Sequence, residues 1–255
     1  MKFQISYFVN IVKILYICKN QIIMNKNAIY VSNGGEINPA TITDTKFVVL
    51  LDNGHAKSTK GKCSPLFEDG SRFYEYEFAR DVVRRISEKL QKENILFKIV
   101  TPEVEEDVPL TTRANRVNRY CQKYGKNNCI LISVHANASG DGSKWMPARG
   151  WSVWTTKGKT KSDEYADIFY KEAKKLLPLY GMTMRQDLAD GDYDFESNFT
   201  IIYKSNCPAI LTENLFQDNK KDCEFLMSDK GRDVIADVHV NAIKQIINEK
   251  LRIAV

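Results

Sequence analysis

The sequence has no uninterrupted apolar run of membrane-spanning length. Its most apolar early stretch, residues 5–18, is broken by Asn10 and Lys13 and falls short of the roughly 20 apolar residues a spanning helix needs. No stable membrane insertion is therefore expected. The six cysteines, Cys18, Cys63, Cys121, Cys129, Cys207 and Cys223, include no C-x-x-C pair, which argues against a zinc ribbon and against a dense disulfide framework. Mostly free thiols are expected, although an even number in a chain this long permits bridges in an oxidising compartment. A large excess of one charge is also missing. The 37 Lys and Arg exceed the 32 Asp and Glu by five, far from the footprint of a nucleic-acid binder. No nucleic-acid partner is expected. There is no internal repeat and no block of low complexity to mark a second folded domain. Histidine is scarce, with three in the whole chain.

What is present suits one large globular domain with a short arm: 255 residues, 43% hydrophobic and 27% charged. Residues 1–45 read as the arm. Its beginning has two open readings, a secretory signal or a misassigned start, since Met24 opens the polar run Met24-Asn25-Lys26-Asn27. Residues 30–45 are polar, carry Gly34, Gly35 and Pro39, and read as a linker. The domain proper covers residues 46–255.

Within it, short apolar runs at 47–51, 96–100, 129–134, 151–154, 200–203 and 209–212 are strand candidates. Between them, residues 75–94, 112–124, 162–177 and 229–251 space their apolar side chains three and four apart, as amphipathic helices do. The alternation of the two predicts a layered α/β domain.

Two of the three histidines, His55 and His135, directly follow predicted buried strands. In an α/β sheet the carboxyl ends of strands open into the crevice where ligands bind. Two imidazoles and one carboxylate hold zinc while leaving a fourth position for water. The bland alternative is that each histidine caps a strand. The helix beginning near Phe73 offers Glu75 and Glu77 as the carboxylate. At about 100° per residue, Glu75 shares the face of Phe78, Ala79, Val82, Ile86 and Leu90, whereas Glu77 lies nearly opposite. An inward carboxylate needs a neutralising partner, which a metal supplies; pairing with Arg72 or a helix-dipole role is the alternative. Glu213 follows the run 209–212 and also falls at a strand end. A glutamate beside a metal can accept a proton from water and pass it to a leaving nitrogen, although a salt bridge with Lys204 would account for it as well.

These residues sit in segments that resemble the type-3 family of zinc-dependent N-acetylmuramoyl-L-alanine amidases, from Lys46 to about Lys250. The landmarks are Asp52-Asn53-Gly54-His55, Glu75-Tyr76-Glu77-Phe78, Pro109-Leu110-Thr111-Thr112-Arg113 leading to Asn118, Ser133-Val134-His135-Ala136-Asn137 and Pro208-Ala209-Ile210-Leu211-Thr212-Glu213-Asn214. The resemblance implies a three-layer αβα sandwich around a mixed, mostly parallel sheet. It also implies one zinc ion on His55, Glu75 and His135, a catalytic Glu213, and hydrolysis of the amide joining N-acetylmuramic acid to L-alanine in peptidoglycan. The chain departs from the family at Asn53 and Ala56, where proline and glycine are usual, and at Ala79, where asparagine is frequent. No ligand is removed, so these changes bear on loop shape.

Asn137 and Arg185 are weaker candidates for substrate contact. Trp145 and Trp151 could stack on a sugar but read better as packing residues, and His239 reads as an ordinary helix residue. The partner expected is peptidoglycan, with a monomeric enzyme acting at the bacterial cell wall after export or after lysis, as a phage lysis enzyme or a wall-remodelling enzyme would. Two rivals stay open: a non-catalytic wall-binding module of the same fold, and a zinc hydrolase of another peptide or amide.

Overall fold

The computed structural model describes residues 23–25, 28–30 and 47–253. The chain divides into two units, Met1–Thr45 and Lys46–Val255. In the first, β1 (Ile23–Asn25) and β2 (Ala28–Tyr30) pair antiparallel, with Met24 opposite Ile29. The apolar stretch at residues 5–18, Cys18 and the linker beyond Tyr30 lie outside the described residues.

The second unit is organised by strands that are apolar on both faces. In β3 (Val48–Asn53), Val49 and Leu51 join one buried cluster while Val48 and Leu50 join the other. β5 (Cys129–Asn137) does the same, sending Ile130, Ile132 and Val134 one way and Cys129 and Leu131 the other. Strands of this kind must be covered on both sides. α1 (Glu75–Lys92), α3 (Lys161–Leu176) and α6 (Asp229–Ile253) supply side chains to the first cluster; α2 (Leu110–Tyr124) supplies them to the second. The result is a three-layer αβα arrangement.

The six-stranded sheet runs in the order β4-β3-β5-β8-β6-β7, with β4 Phe97–Ile99, β6 Ser152–Thr155, β7 Phe195–Glu196 and β8 Ala209–Phe216. β4, β3, β5 and β8 are mutually parallel, and β6 is antiparallel to β8. The sheet is therefore mixed and mostly parallel.

Local signals place the helices. α1 carries Glu75 and Glu77 in its first turn and Lys89 and Lys92 in its last, charges that suit the helix dipole. α3 begins with a capping box between Thr160 and Asp163.

Residues 200–203, expected as a strand, form instead the single-turn helix α4 (Thr200–Tyr203). Its amides bond back within the turn, Tyr203 N–H to Phe199 O at 2.9 Å and Lys204 N–H to Thr200 O at 3.0 Å. Four residues, three of them apolar, carry no period that separates strand from helix. Burial of the adjacent pair Ile201 and Ile202 in one cluster decides for the helix. β7, two residues long, and α5 (Lys220–Met227), whose apolar residues are confined to Cys223 and Phe225-Leu226-Met227, were not anticipated. Among the described residues Cys63, Cys121, Cys129, Cys207 and Cys223 are free thiols, and no helix is long and apolar enough to cross a membrane.

Candidate active site

The site forms where β3, α1, β5 and β8 meet. β3 ends at Asn53, and the chain turns so sharply after Gly54 that His55 adopts a left-handed backbone, φ 58°. The turn lies against β5: Gly54 N–H donates to Val134 O at 3.0 Å. A Cβ on Gly54 would stand 2.6 Å from His135 Nδ1, so only glycine lets the two histidine-bearing segments approach this closely. His135 itself lies within β5 rather than after it.

The turn is braced from beneath. Arg113, 1% exposed, donates from Nη1 to Asp52 Oδ1 at 3.1 Å and to Asn53 O at 2.7 Å. Asp52 also accepts the Thr101 hydroxyl at 2.6 Å and the Ser133 hydroxyl at 2.7 Å. A buried charge pair whose two carboxylate oxygens both accept hydrogen bonds fixes geometry more than it stabilises. Arg113 was visible in the sequence only as part of a motif; its bracing role was not.

Glu75 points inward and is 1% exposed, while Glu77 is exposed, as the helical phase requires. Glu75 Oε1 lies 2.9 Å from His135 Nδ1 and accepts Ala136 N–H at 3.1 Å. Oε2 faces His55 Nε2 at 3.5 Å and is buried without a hydrogen-bond partner. The Arg72 pairing weighed for Glu75 is not formed. His55, Glu75 and His135 thus bring one donor atom each to within 4.8 Å of one another, a group that could hold a metal ion. The orphaned Glu75 oxygen and the two-nitrogen, one-oxygen donor set fit zinc. Asp107 Oδ2 lies 4.0 Å from His55 Nδ1, on the far side of the ring.

Electrostatics differ at each member. Burial pushes the His55 pKa down to about 4, keeping the ring neutral, although Glu75 opposes this. Burial would raise the pKa of Glu75 and lower that of His135, but their mutual hydrogen bond and charges win, holding Glu75 low and His135 high.

Glu213 stands in register beside His135 on the neighbouring strand β8. It lies inside that strand, not beyond its end. Its Oε2 is buried and without a partner. Burial, with the Glu75 charge adding to it, pushes the Glu213 carboxyl up to about 7 against the opposing pull of His135, Lys62 and Arg185. Lys204, the alternative partner, is exposed and forms no ion pair with it. Arg185 is held over the rings of Phe195 and Phe216, 5.3 and 5.1 Å from their centroids. Asn137 ends β5, and its side chain accepts the Ala138 N–H at 2.8 Å.

Three further aromatic and histidine residues take packing or bracing positions. Trp151 is fully buried and donates its indole N–H to Asn214 Oδ1 at 2.8 Å. Trp145 packs against Phe67 at 4.7 Å. His239 is fully buried rather than an ordinary helix residue, with Nε2 3.0 Å from the Thr212 hydroxyl and Nδ1 2.8 Å from Ile235 O. It underpins the residue next to Glu213. Its helical spacing carried no sign of this.

The Amidase_3 family model, described as N-acetylmuramoyl-L-alanine amidase, matches residues 49–245. The chain belongs to this family. The stretch contains all four converging residues and both weaker candidates. Among curated relatives, an endolysin of Bacillus phage SPP1 is 27% identical over 207 residues, 80% of this chain and 67% of that protein. The N-acetylmuramoyl-L-alanine amidase CwlM of Bacillus licheniformis is 23% identical over 201 residues, 78% of this chain and 68% of its own length. Among solved structures, an N-acetylmuramoyl-L-alanine amidase from Clostridium difficile 630 superposes with a TM-score of 0.64 at 22% identity, covering 81% of this chain and 99% of that one. At that identity the superposition speaks for the shared fold.

Proposed function

We propose that residues 46–255 form a catalytic domain in which His55, Glu75 and His135 hold one zinc ion and Glu213 carries protons. The reaction is hydrolysis of the amide between N-acetylmuramic acid and L-alanine in peptidoglycan, the bond named by the family to which the chain belongs. When bound, zinc supplies Lewis acidity and lowers the pKa of water toward neutrality.

The chain's own residues do the rest. The burial that keeps His55 neutral leaves its nitrogen free to donate to a metal. Glu75, bonded to His135 and to the Ala136 amide, is fixed as the third donor. Glu213, with a pKa near 7 and an unpartnered oxygen, can accept a proton from the attacking water at neutral pH and return it to the departing amine. Such matching of pKa to working pH suits a group that must both take and give a proton. Arg185, held over two aromatic rings, would meet an anionic group of the stem peptide, with Asn137 as a neutral contact at the end of β5. One copy of the chain supplies every residue named, and the proposed enzyme acts as a monomer at the cell wall.

The observation that carries this reading is the convergence of three metal-ligating side chains, with a partnerless carboxylate of raised pKa on the adjacent strand. The test is Glu213→Gln. Purified sacculi treated with the wild-type chain should gain free L-alanine amino termini, and the variant should release none while retaining one zinc per chain. Turnover persisting in the variant, or zinc lost with the carboxylate, contradicts the assigned roles. Cleavage that frees amines only inside the stem peptide would identify a hydrolase of another amide.

A further inference from the structure

His55 offers two ring nitrogens, and they have different neighbours. Nε2 faces Glu75 Oε2 at 3.5 Å, on the side where the three donor atoms gather. Nδ1 faces the other way, toward Asp107 Oδ2 at 4.0 Å. The ring, carried on a backbone of φ 58°, thus stands between two carboxylates.

Asp107 lies between β4 and α2, and it is held on every side. Its Oδ1 accepts from Arg113 Nη2 at 2.5 Å, the same guanidinium whose Nη1 grips Asp52 and the Asn53 carbonyl at the end of β3. Its Oδ2 accepts the Thr59 hydroxyl at 2.6 Å, and Thr59 Oγ1 in turn accepts the Ala56 N–H at 3.0 Å. Its own N–H donates to Ser58 Oγ at 3.1 Å. Beside these bonds, Lys57 N–H donates to Val104 O at 2.9 Å and Ser58 N–H to Glu105 O at 3.0 Å, so the chain just beyond His55 is zipped to the segment that brings Asp107. One guanidinium therefore fixes both the strand end that precedes His55 and the carboxylate behind its ring. Closing this pair of loops is one role for Asp107. It does not use the second acceptor site of Oδ2, the oxygen that faces the imidazole.

A neutral imidazole carries one N–H, and the bond made by one nitrogen decides which of the two is left for a metal. A carboxylate at Nδ1 keeps the proton there, leaves the Nε2 lone pair free, and raises the basicity of the ligand. Resting on the zinc reading above, we infer that Asp107 is a positioning residue: it accepts the Nδ1–H of His55, fixes the tautomer and orientation of the ring, and so sets how tightly the His55–Glu75–His135 group holds its ion. Reaching hydrogen-bond length from 4.0 Å takes an approach of about 1 Å, which a turn of the partly exposed His55 side chain covers. Asp107 touches no reacting atom.

The metal-free full chain, titrated with zinc against a fluorescent chelator, should show one tight site. Asp107→Ala should weaken that site about 10–100-fold, and Asp107→Asn, whose amide oxygen still accepts one N–H, should weaken it less. In NMR spectra of the zinc-loaded chain labelled with nitrogen-15 at histidine, His55 should be bound through Nε2 and carry an Nδ1–H that exchanges slowly with water. In Asp107→Ala that proton should exchange too fast to observe, while the ring signals of the buried His239 stay in place. An anchor for the loops alone would move neither the zinc affinity nor that proton. Zinc affinity of Asp107→Ala within about threefold of wild type, against the 10–100-fold expected, overturns the inference and leaves the three-ligand site standing; so does His55 bound to zinc through Nδ1. Wild-type chain that binds no zinc overturns the site itself and this inference with it. If Asp107→Ala does not fold, the wild-type spectrum decides, and an Nδ1–H in free exchange with water counts against Asp107.

Discussion

Gly54→Ala probes how closely the two histidine-bearing segments must approach. The added methyl would lie 2.6 Å from His135 Nδ1, 2.7 Å from its Cε1 and 2.8 Å from Val134 O, where ordinary contact begins at 3.4 Å. The shortfall, 3.4 − 2.6 = 0.8 Å, must come from displacement of the imidazole or of the turn bearing His55. The Gly54 N–H bond to Val134 O holds the turn in place, so the ring yields first. Gly54 does not need a positive φ, so backbone strain adds little and the effect is steric. Overpacking of this kind costs about 1–3 kcal/mol of stability, which a domain of this size survives. A misplacement approaching 1 Å in a catalytic constellation costs on the order of 100-fold in rate. The expected outcome is a folded variant with kcat/KM on sacculi reduced about 100-fold, roughly 2.7 kcal/mol of transition-state stabilisation, and with weakened zinc retention under dialysis. A variant within threefold of wild type, holding zinc equally well, would refute the reasoning.

Three other outcomes follow from the same geometry. Turnover should rise with pH along an acidic limb, because Glu213 must lose its proton to act as base and burial and Glu75 push its pKa upward; a kcat/KM profile with no acidic limb would remove Glu213 from that role. Arg113→Ala should destabilise the chain by about 3–5 kcal/mol in urea unfolding, since it strands the buried Asp52 charge beneath the His55 turn, and a loss under 1 kcal/mol would show the brace to be unimportant. His239 is held neutral by burial, with a pKa near 4 against 6.5 for the free side chain. Between those values the unfolded chain binds more protons than the folded one, so stability falls as pH drops from 6.5 toward 4. His239→Gln should flatten that part of the stability profile while sparing zinc content.

Much of this site is legible in sequence because each ligand carries a local physical signature. His135 ends an apolar run covered on both faces, and Glu75 is separated from Glu77 by helical phase alone; both signals survive folding because burial created them. Single features with no periodic signature were not legible. The left-handed backbone at His55 and the close approach at Gly54 depend on β5 lying alongside, 80 residues further on. His239 looked ordinary because its partner, Thr212, comes from a strand in another layer. The short run 200–203 matched strand and helix equally well, and packing against α2 and β8 decided it.

The central claim is that two imidazoles and one inward carboxylate, remote in sequence, share one zinc ion. Anomalous diffraction from crystals of the zinc-loaded protein, recorded on both sides of the zinc absorption edge, tests it most directly. The account predicts one strong peak within coordination distance of His55, Glu75 and His135, absent in Glu75→Ala. A peak elsewhere, or none at that position in protein that remains active, would contradict it.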